Sequence, residues 1–239
     1  MVVPPIFVLS VNANMPRPFN TQALVLRRKA FVKNSKLLYL FSQEKGLIKV
    51  IAKGSLLPTS RFSGLIEPFS LIHAELVAGR QFYYLTYASL VKNFFAKQAS
   101  LAALQFAAKI SGFALRMLPE EERNLRAFEL TIEALEAAQA GFLPIVISWY
   151  KLNLLMALGL LPKLPKEVNR ERYFFSGKEG GFIENKTAET LVFDLQTTSL
   201  FLELLRKPLA DCCRQEEAFP TSSLKIIDRA IDQFLCYHS

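Results

Sequence analysis

The chain has 239 residues, half of them apolar (51%) and a fifth charged (21%), with a formal net charge of +8 and three cysteines. That length holds two small domains or one large one with a filled core, and the balance excludes a largely disordered chain, which combines low hydrophobicity with high net charge. Three cysteines, an odd number, exclude a disulfide framework.

The charge is unevenly placed. Residues 1–95 hold twelve Lys and Arg against three acids (Glu44, Glu67, Glu75), a surplus of nine, whereas residues 96–239 hold seventeen bases against eighteen acids. Such asymmetry predicts two units, one of which meets a polyanion; a basic surface serving solubility alone is the other reading of the number by itself.

In chain order, the apolar start Met1–Leu9 lacks a leading positive charge and is interrupted by two prolines, a poor signal peptide. Residues 1–14 read as a non-core extension or an upstream start, and 1–20 as an N-terminal extension. Residues 21–91 read as strands, within a first domain of 21–95: Thr21–Val32, Leu37–Ser42, Leu47–Ala52, Leu71–Ala78 and Phe82–Val91, the last two around a Gly79-Arg80 turn. Five short strands with turn signals predict a small barrel or sandwich.

Helical spacing takes over near residue 95. From Lys97 to Leu118 one face carries Phe106, Ile110, Phe113 and Met117 and another Leu101, Leu104, Ala108 and Leu115, which predicts packing on both sides. Pro119 with Glu120, Glu121 and Glu122 reads as the first turn of a second helix, with Leu125, Phe128, Ile132 and Leu135 inward and a stop at Gly141. Phe142–Leu161 has one charge in twenty residues, yet Lys151 would sit near a bilayer centre, so a buried core helix is expected there and no membrane span. Residues 162–190 are an irregular insert. Helices over Thr198–Arg206 and from about Ser222, with Leu224, Ile227, Ile231 and Phe234 inward, complete a helical domain over 96–239. No repeat or low-complexity tract is present.

The chemistry for catalysis is sparse. His73 falls in an apolar strand-like run, as a structural residue, and His238 at a solvated end, leaving little for acid–base work. Adjacent Cys212 and Cys213 do not suit tetrahedral chelation, and no phosphate loop or nucleophile elbow is present. No enzyme, cofactor or metal is expected. What recurs is base with aromatic. Arg27, Arg28, Lys29, Lys33 and Lys36 surround a first turn near Asn34-Ser35, and Lys45, Lys49, Lys53 and Arg61 follow. Phe31, Tyr39, Phe41, Tyr83, Tyr84 and Tyr87 are interleaved with them. Cations replace counterions at phosphates and rings stack on bases, so the cluster is the candidate DNA-binding set; each ring singly either stacks on a base or fills the barrel.

Specific residues carry a family resemblance. Thr21–Leu26, Leu38–Ser42, Lys45–Gly54 with its Ala52-Lys53-Gly54, Ser60 and Glu67-Pro68-Phe69 resemble the N-terminal OB-fold of the RecO family of recombinational repair proteins. Leu154–Leu164, Phe175-Ser176 and Gly180-Gly181 are similar to that family's helix and zinc module. The resemblance implies an α+β protein, an OB barrel followed by a helical bundle. It further implies a mediator that binds single- and double-stranded DNA, anneals strands and, with RecR and single-stranded-DNA-binding protein, helps load RecA. The helical domain is implicated in contacts with RecR and the binding-protein tail, and the location implied is cytoplasmic, at the nucleoid. The family's two Cys-x-x-Cys pairs fall on Glu167 and Arg170, then Glu184 and Thr187, so no structural zinc is expected, and the insert is held by Tyr173, Phe174 and Phe182 or left mobile. The rival readings are an RNA-binding OB-fold protein and a protein-interaction scaffold.

Overall fold

A computed structural model describes residues 17–95, 100–141, 143–215 and 219–238. The reading of residues 1–14 lies outside them. Five strands, β1 (Phe19–Phe31), β2 (Ser35–Ser42), β3 (Gly46–Ala52), β4 (Ser70–Ala78) and β5 (Tyr83–Asn93), close into a barrel of order β1-β2-β3-β5-β4. Each lies within about two residues of its expected position, because short β-rich apolar runs bounded by turn residues are a strand signature. One side of the strands (Ala23, Val25, Leu38, Leu40, Ile48, Val50, Ile72, Ala74, Leu76) fills the interior. Phe62 and Ile66, from the long β3–β4 connection, complete it.

The other side is also partly apolar. Leu24, Leu26, Phe41, Leu47, Leu71 and Phe94 join the core of the helical half, where the Phe41 and Phe128 rings meet edge to face at 5.4 Å. The barrel therefore presents a dry patch to the helices and a wet face beside it. A bulge in β1 between Val25 and Arg27 marks the switch, since it resets which side chains point outward.

The helical half contains α1 (Leu101–Met117), α2 (Leu125–Ala140), α3 (Leu143–Ala157), α4 (Leu195–Arg206), α5 (Leu209–Arg214) and α6 (Thr221–His238). Expected packing of α1 on both sides is corrected: Ala103, Ala107, Ile110, Phe113, Ala114 and Met117 are buried, but Leu101 is 72% exposed and Ala108 is exposed. The expected acidic first turn of α2 is corrected too. Asn124 caps that helix, its side chain accepting from the Ala127 amide at 2.9 Å and donating to the Ala157 carbonyl at 3.0 Å. Glu120, Glu121 and Glu122 instead run along the barrel, with the Glu121 amide donating to the Leu47 carbonyl at 2.9 Å. Gly46 is required there: a Cβ would strike the Glu122 carbonyl, and its φ of +69° is left-handed. Gly141 ends α2 with a φ of 106°, as expected.

Helix α3 is the centre of the helical core. Its polar residues reach partners at the end of α4: Trp149 Nε1 donates to the carbonyl of Lys207, the residue that closes α4, at 3.2 Å, and Asn153 donates to the Leu204 carbonyl at 2.8 Å. Lys151 lies 3.5 Å from Asp228 and 3.4 Å from Asp232 of α6. Among the described residues, no helix is long and apolar enough to cross a membrane.

The insert is more regular than expected. β6 (Arg172–Ser176), β7 (Gly181–Ile183) and β8 (Leu191–Asp194) form a three-stranded sheet of order β7-β6-β8. It is fastened to α4 by Phe175, Phe182, Phe193 and Phe201, with ring centroids 5.1–6.2 Å apart in edge-to-face and stacked pairs. Tyr173 and Phe182 are buried as expected, whereas Phe174 is only half-buried. Of the two histidines, His73 is exposed on β4 and not part of an apolar core; His238 is exposed at the end of α6, as expected, although its Nε2 lies 2.8 Å from the Gly177 carbonyl and its ring stacks on Phe234 at 4.6 Å.

Candidate nucleic-acid interface

Strand register defines the wet face. Across β1, β2 and β3, Arg27 stands opposite Tyr39 and Tyr39 opposite Lys49; one step on, Lys29 stands opposite Leu37 and Leu37 opposite Ile51. Ile51 then pairs with Tyr84 of β5. Two rows result: in the first a ring stands between two cations, and in the second the buried Leu37 and Ile51 separate Lys29 from Tyr84. Lys29 Nζ sits 5.5 Å from the centre of the Tyr39 ring and Lys53 Nζ 4.5 Å from that of Tyr84. A cation over a ring face gains from the ring's quadrupole, and both groups are thereby presented side by side.

The nine expected cations divide into three groups. Arg27, Lys29 and Lys53 are exposed on or beside this face. Lys33 lies in the β1–β2 turn, where Lys33 and Asn34 take the left-handed φ (53° and 58°) of a tight hairpin. Lys45 is exposed in the β2–β3 turn with its Nζ 5.8 Å from the Phe19 ring, and Arg61 is exposed on the β3–β4 connection against Phe62 at 4.9 Å. The third group is engaged within the fold. Arg28 binds Glu67 at 2.5 Å, Lys49 binds Glu120 at 2.5 Å, and Lys36 is half-buried on the opposite side of β2, facing Ala52. The Glu120 carboxylate, which accepts from the Lys49 ammonium, raises the Lys49 pKa against a smaller opposing effect of burial. Of the rings, Phe41 is core, Tyr83 packs on Phe19, and Tyr87 is 59% exposed.

The match to known proteins is decisive. A model described as "Recombination protein O N terminal" matches residues 15–94, and one described as "Recombination protein O C terminal" matches residues 98–239. The chain belongs to the RecO family. It is similar to the DNA repair protein RecO of Caldanaerobacter subterraneus subsp. tengcongensis, 29% identical over 182 residues that make up 73% of each chain. The RecO of Pelotomaculum thermopropionicum is 27% identical over 231 residues, 92% of this chain and 89% of its own. Family membership assigns the protein to DNA repair and recombination, and the barrel is the family's OB-fold.

The RecO resemblance raises the question of a zinc module, and the residues at its place do not fit one. Arg170 is a cation with no lone pair to give, and its amide donates to Tyr173 Oη at 2.7 Å. Glu184 is bound by Lys166 at 3.0 Å, which holds its carboxyl below the usual range, and Glu167 accepts from Asn169 at 2.6 Å. Among the described residues, no three His, Cys, Asp or Glu side chains are grouped to hold a metal ion. Cys212 and Cys213 are buried in the helical core, and burial pushes the Cys212 thiol up to about 11, toward the inert neutral form.

Proposed function

We propose that this RecO-family chain is a non-catalytic mediator whose barrel binds single- and double-stranded DNA and anneals complementary strands. With RecR and single-stranded-DNA-binding protein it would help load RecA at the nucleoid. The observation that carries the reading is the outer face of β1–β3, where Arg27, Lys29 and Lys53 are exposed beside Tyr39 and Tyr84. A single strand needs both components, cations along its phosphates and ring faces under its bases.

The helical half suits the protein partners. A cavity of about 600 Å³ between α1, α3 and α6 combines apolar walls (Phe106, Phe113, Leu224) with Lys109, Arg116 and Lys225, while its two carboxylates, Asp228 and Asp232, lie 3.5 and 3.4 Å from Lys151. That chemistry suits a short acidic segment with an apolar end, and it is where the tail of the binding protein would seat.

The test is annealing of complementary oligonucleotides coated with single-stranded-DNA-binding protein, without ATP. Annealing that is faster with the chain than without it supports the reading. Equal rates contradict it, and RNA strands that outcompete DNA would point to RNA as the ligand, since the 2′-hydroxyl separates the two.

A further inference from the structure

The β1–β2 turn and the start of the β3–β4 connection are joined at one rim of the barrel. The Leu56 amide donates to the Asn34 carbonyl at 2.9 Å, and the Leu57 amide donates to the Gly54 carbonyl at 3.2 Å. This rim holds large apolar side chains in solvent: Val32 is 66% exposed, Leu56 45% and Leu57 45%. The barrel does not need them, because Phe62 and Ile66 from the same connection already fill its core. Single exposed apolar residues are ordinary, but a group of them bordered by charge marks a contact surface.

The charged residues of these two segments are all cations: Lys33, Lys53 and Arg61 are exposed, Lys36 is half-buried, and residues 31–36 and 53–66 contain no acid. A polyanion is the complement of such a border. Apolar points within it suit a polyanion that also offers apolar surface, and in DNA that surface is the face of an unstacked base. An intact duplex hides those faces; a strand end or a junction exposes them. Apolar wedges that open base steps work on this chemistry, the cost of unstacking being offset by flanking contacts.

We propose that Val32, Leu56 and Leu57 form an apolar wedge that takes the terminal bases of DNA at a junction between duplex and single strand, with Lys33, Lys53 and Arg61 on the neighbouring phosphates. The proposal rests on the barrel binding DNA. It adds a structure preference to that binding: junctions and ends over continuous strands, which is useful to a protein that must start pairing between two chains.

The experiment uses the full chain and a junction oligonucleotide with 2-aminopurine as the last paired base, whose fluorescence rises on unstacking. The parent protein is expected to raise the signal at the junction and not at the middle of a duplex. Leu56→Ser with Leu57→Ser should lose most of that rise and bind the junction about tenfold more weakly. Its salt dependence on a plain single strand should be unchanged. Val32→Ser, made separately, should lose part of the signal, and Leu56→Met with Leu57→Met should keep it. A wild-type rise in the double serine variant would overturn the wedge. So would a fall in its salt dependence, which would trace the effect to the cations. Binding of single strands by the parent with no rise at the junction would also overturn the wedge while leaving the DNA-binding reading standing. No binding of any DNA would remove that reading, and the wedge with it.

Discussion

At the scale of single residues, a charge in the sequence is only a candidate for a partner outside the chain. Arg28 and Lys49 look the same in the sequence as Arg27 and Lys29, yet the first two meet Glu67 and Glu120 within the fold. Long-range pairs of this kind, 39 positions apart for Arg28 and Glu67, leave no local signal. Capping is more readable. Asp194 accepts from the Thr197 amide at 2.7 Å at the start of α4, and these bonds hold its carboxyl below the usual range. A depressed folded pKa stabilises the protein above the unfolded value, about 3.9, and that contribution is lost as pH falls through the folded value. Asp194→Asn keeps a capping side chain but removes the titration, whereas Asp194→Ala is expected to cost about 1 kcal/mol at neutral pH. Thermal melts of the three proteins between pH 7 and pH 3 check this: the gap between parent and alanine variant should shrink on acidification.

At the scale of elements, the strands were legible as short apolar runs between turn signals, and the buried faces of the helices because they repeat a local period. Leu224, Ile227, Ile231 and Phe234 of α6 are all buried, as their spacing requires. Three features were not legible, each for a physical reason. Pro119 and three glutamates imitate a helix start, but Asn124 is the cap, and the glutamates are held by the barrel edge at Leu47. The second face of α1 is only partly covered, with Leu101 and Ala108 exposed and Leu104 and Leu115 half-buried, which spacing alone does not reveal. The small β6–β8 sheet has strands of three to five residues, too short for alternation to stand out among charges. Its stability comes from rings distant in sequence. Phe193 is fully buried among Phe175, Phe182 and Phe201, so Phe193→Ala should cost about 3–5 kcal/mol by loss of contacts and the cavity left behind. Chemical denaturation would measure it. Because the barrel has a separate interior, single-strand binding by the refolded variant should be retained under native conditions.

At the scale of the molecule, the net charge of +8 describes neither half. A basic barrel is joined to a near-neutral helical half, and the join itself uses charge: Glu120 on Lys49, and Glu136 of α2 on Lys92 of β5 at 2.7 Å. Glu120 thus occupies, on the candidate DNA face, a position that a phosphate would otherwise take. Glu120→Gln should free Lys49 and raise affinity for single strands severalfold at low salt. The cost in stability should be under about 1 kcal/mol, because exposed ion pairs contribute little. Titration of a labelled oligonucleotide at 50 mM salt, beside a melting curve, separates the two effects.

If the outer face of β1–β3 binds DNA through its exposed cations, equilibrium binding of a labelled single strand over a range of salt concentrations will show it, for the parent chain and for Arg27→Ala, Lys29→Ala and Lys53→Ala combined. Binding should weaken steeply with salt, with a log–log slope shallower by about 2 in the triple variant, as expected for three lost phosphate contacts. An unchanged slope in that variant, or parent binding insensitive to salt, would contradict it.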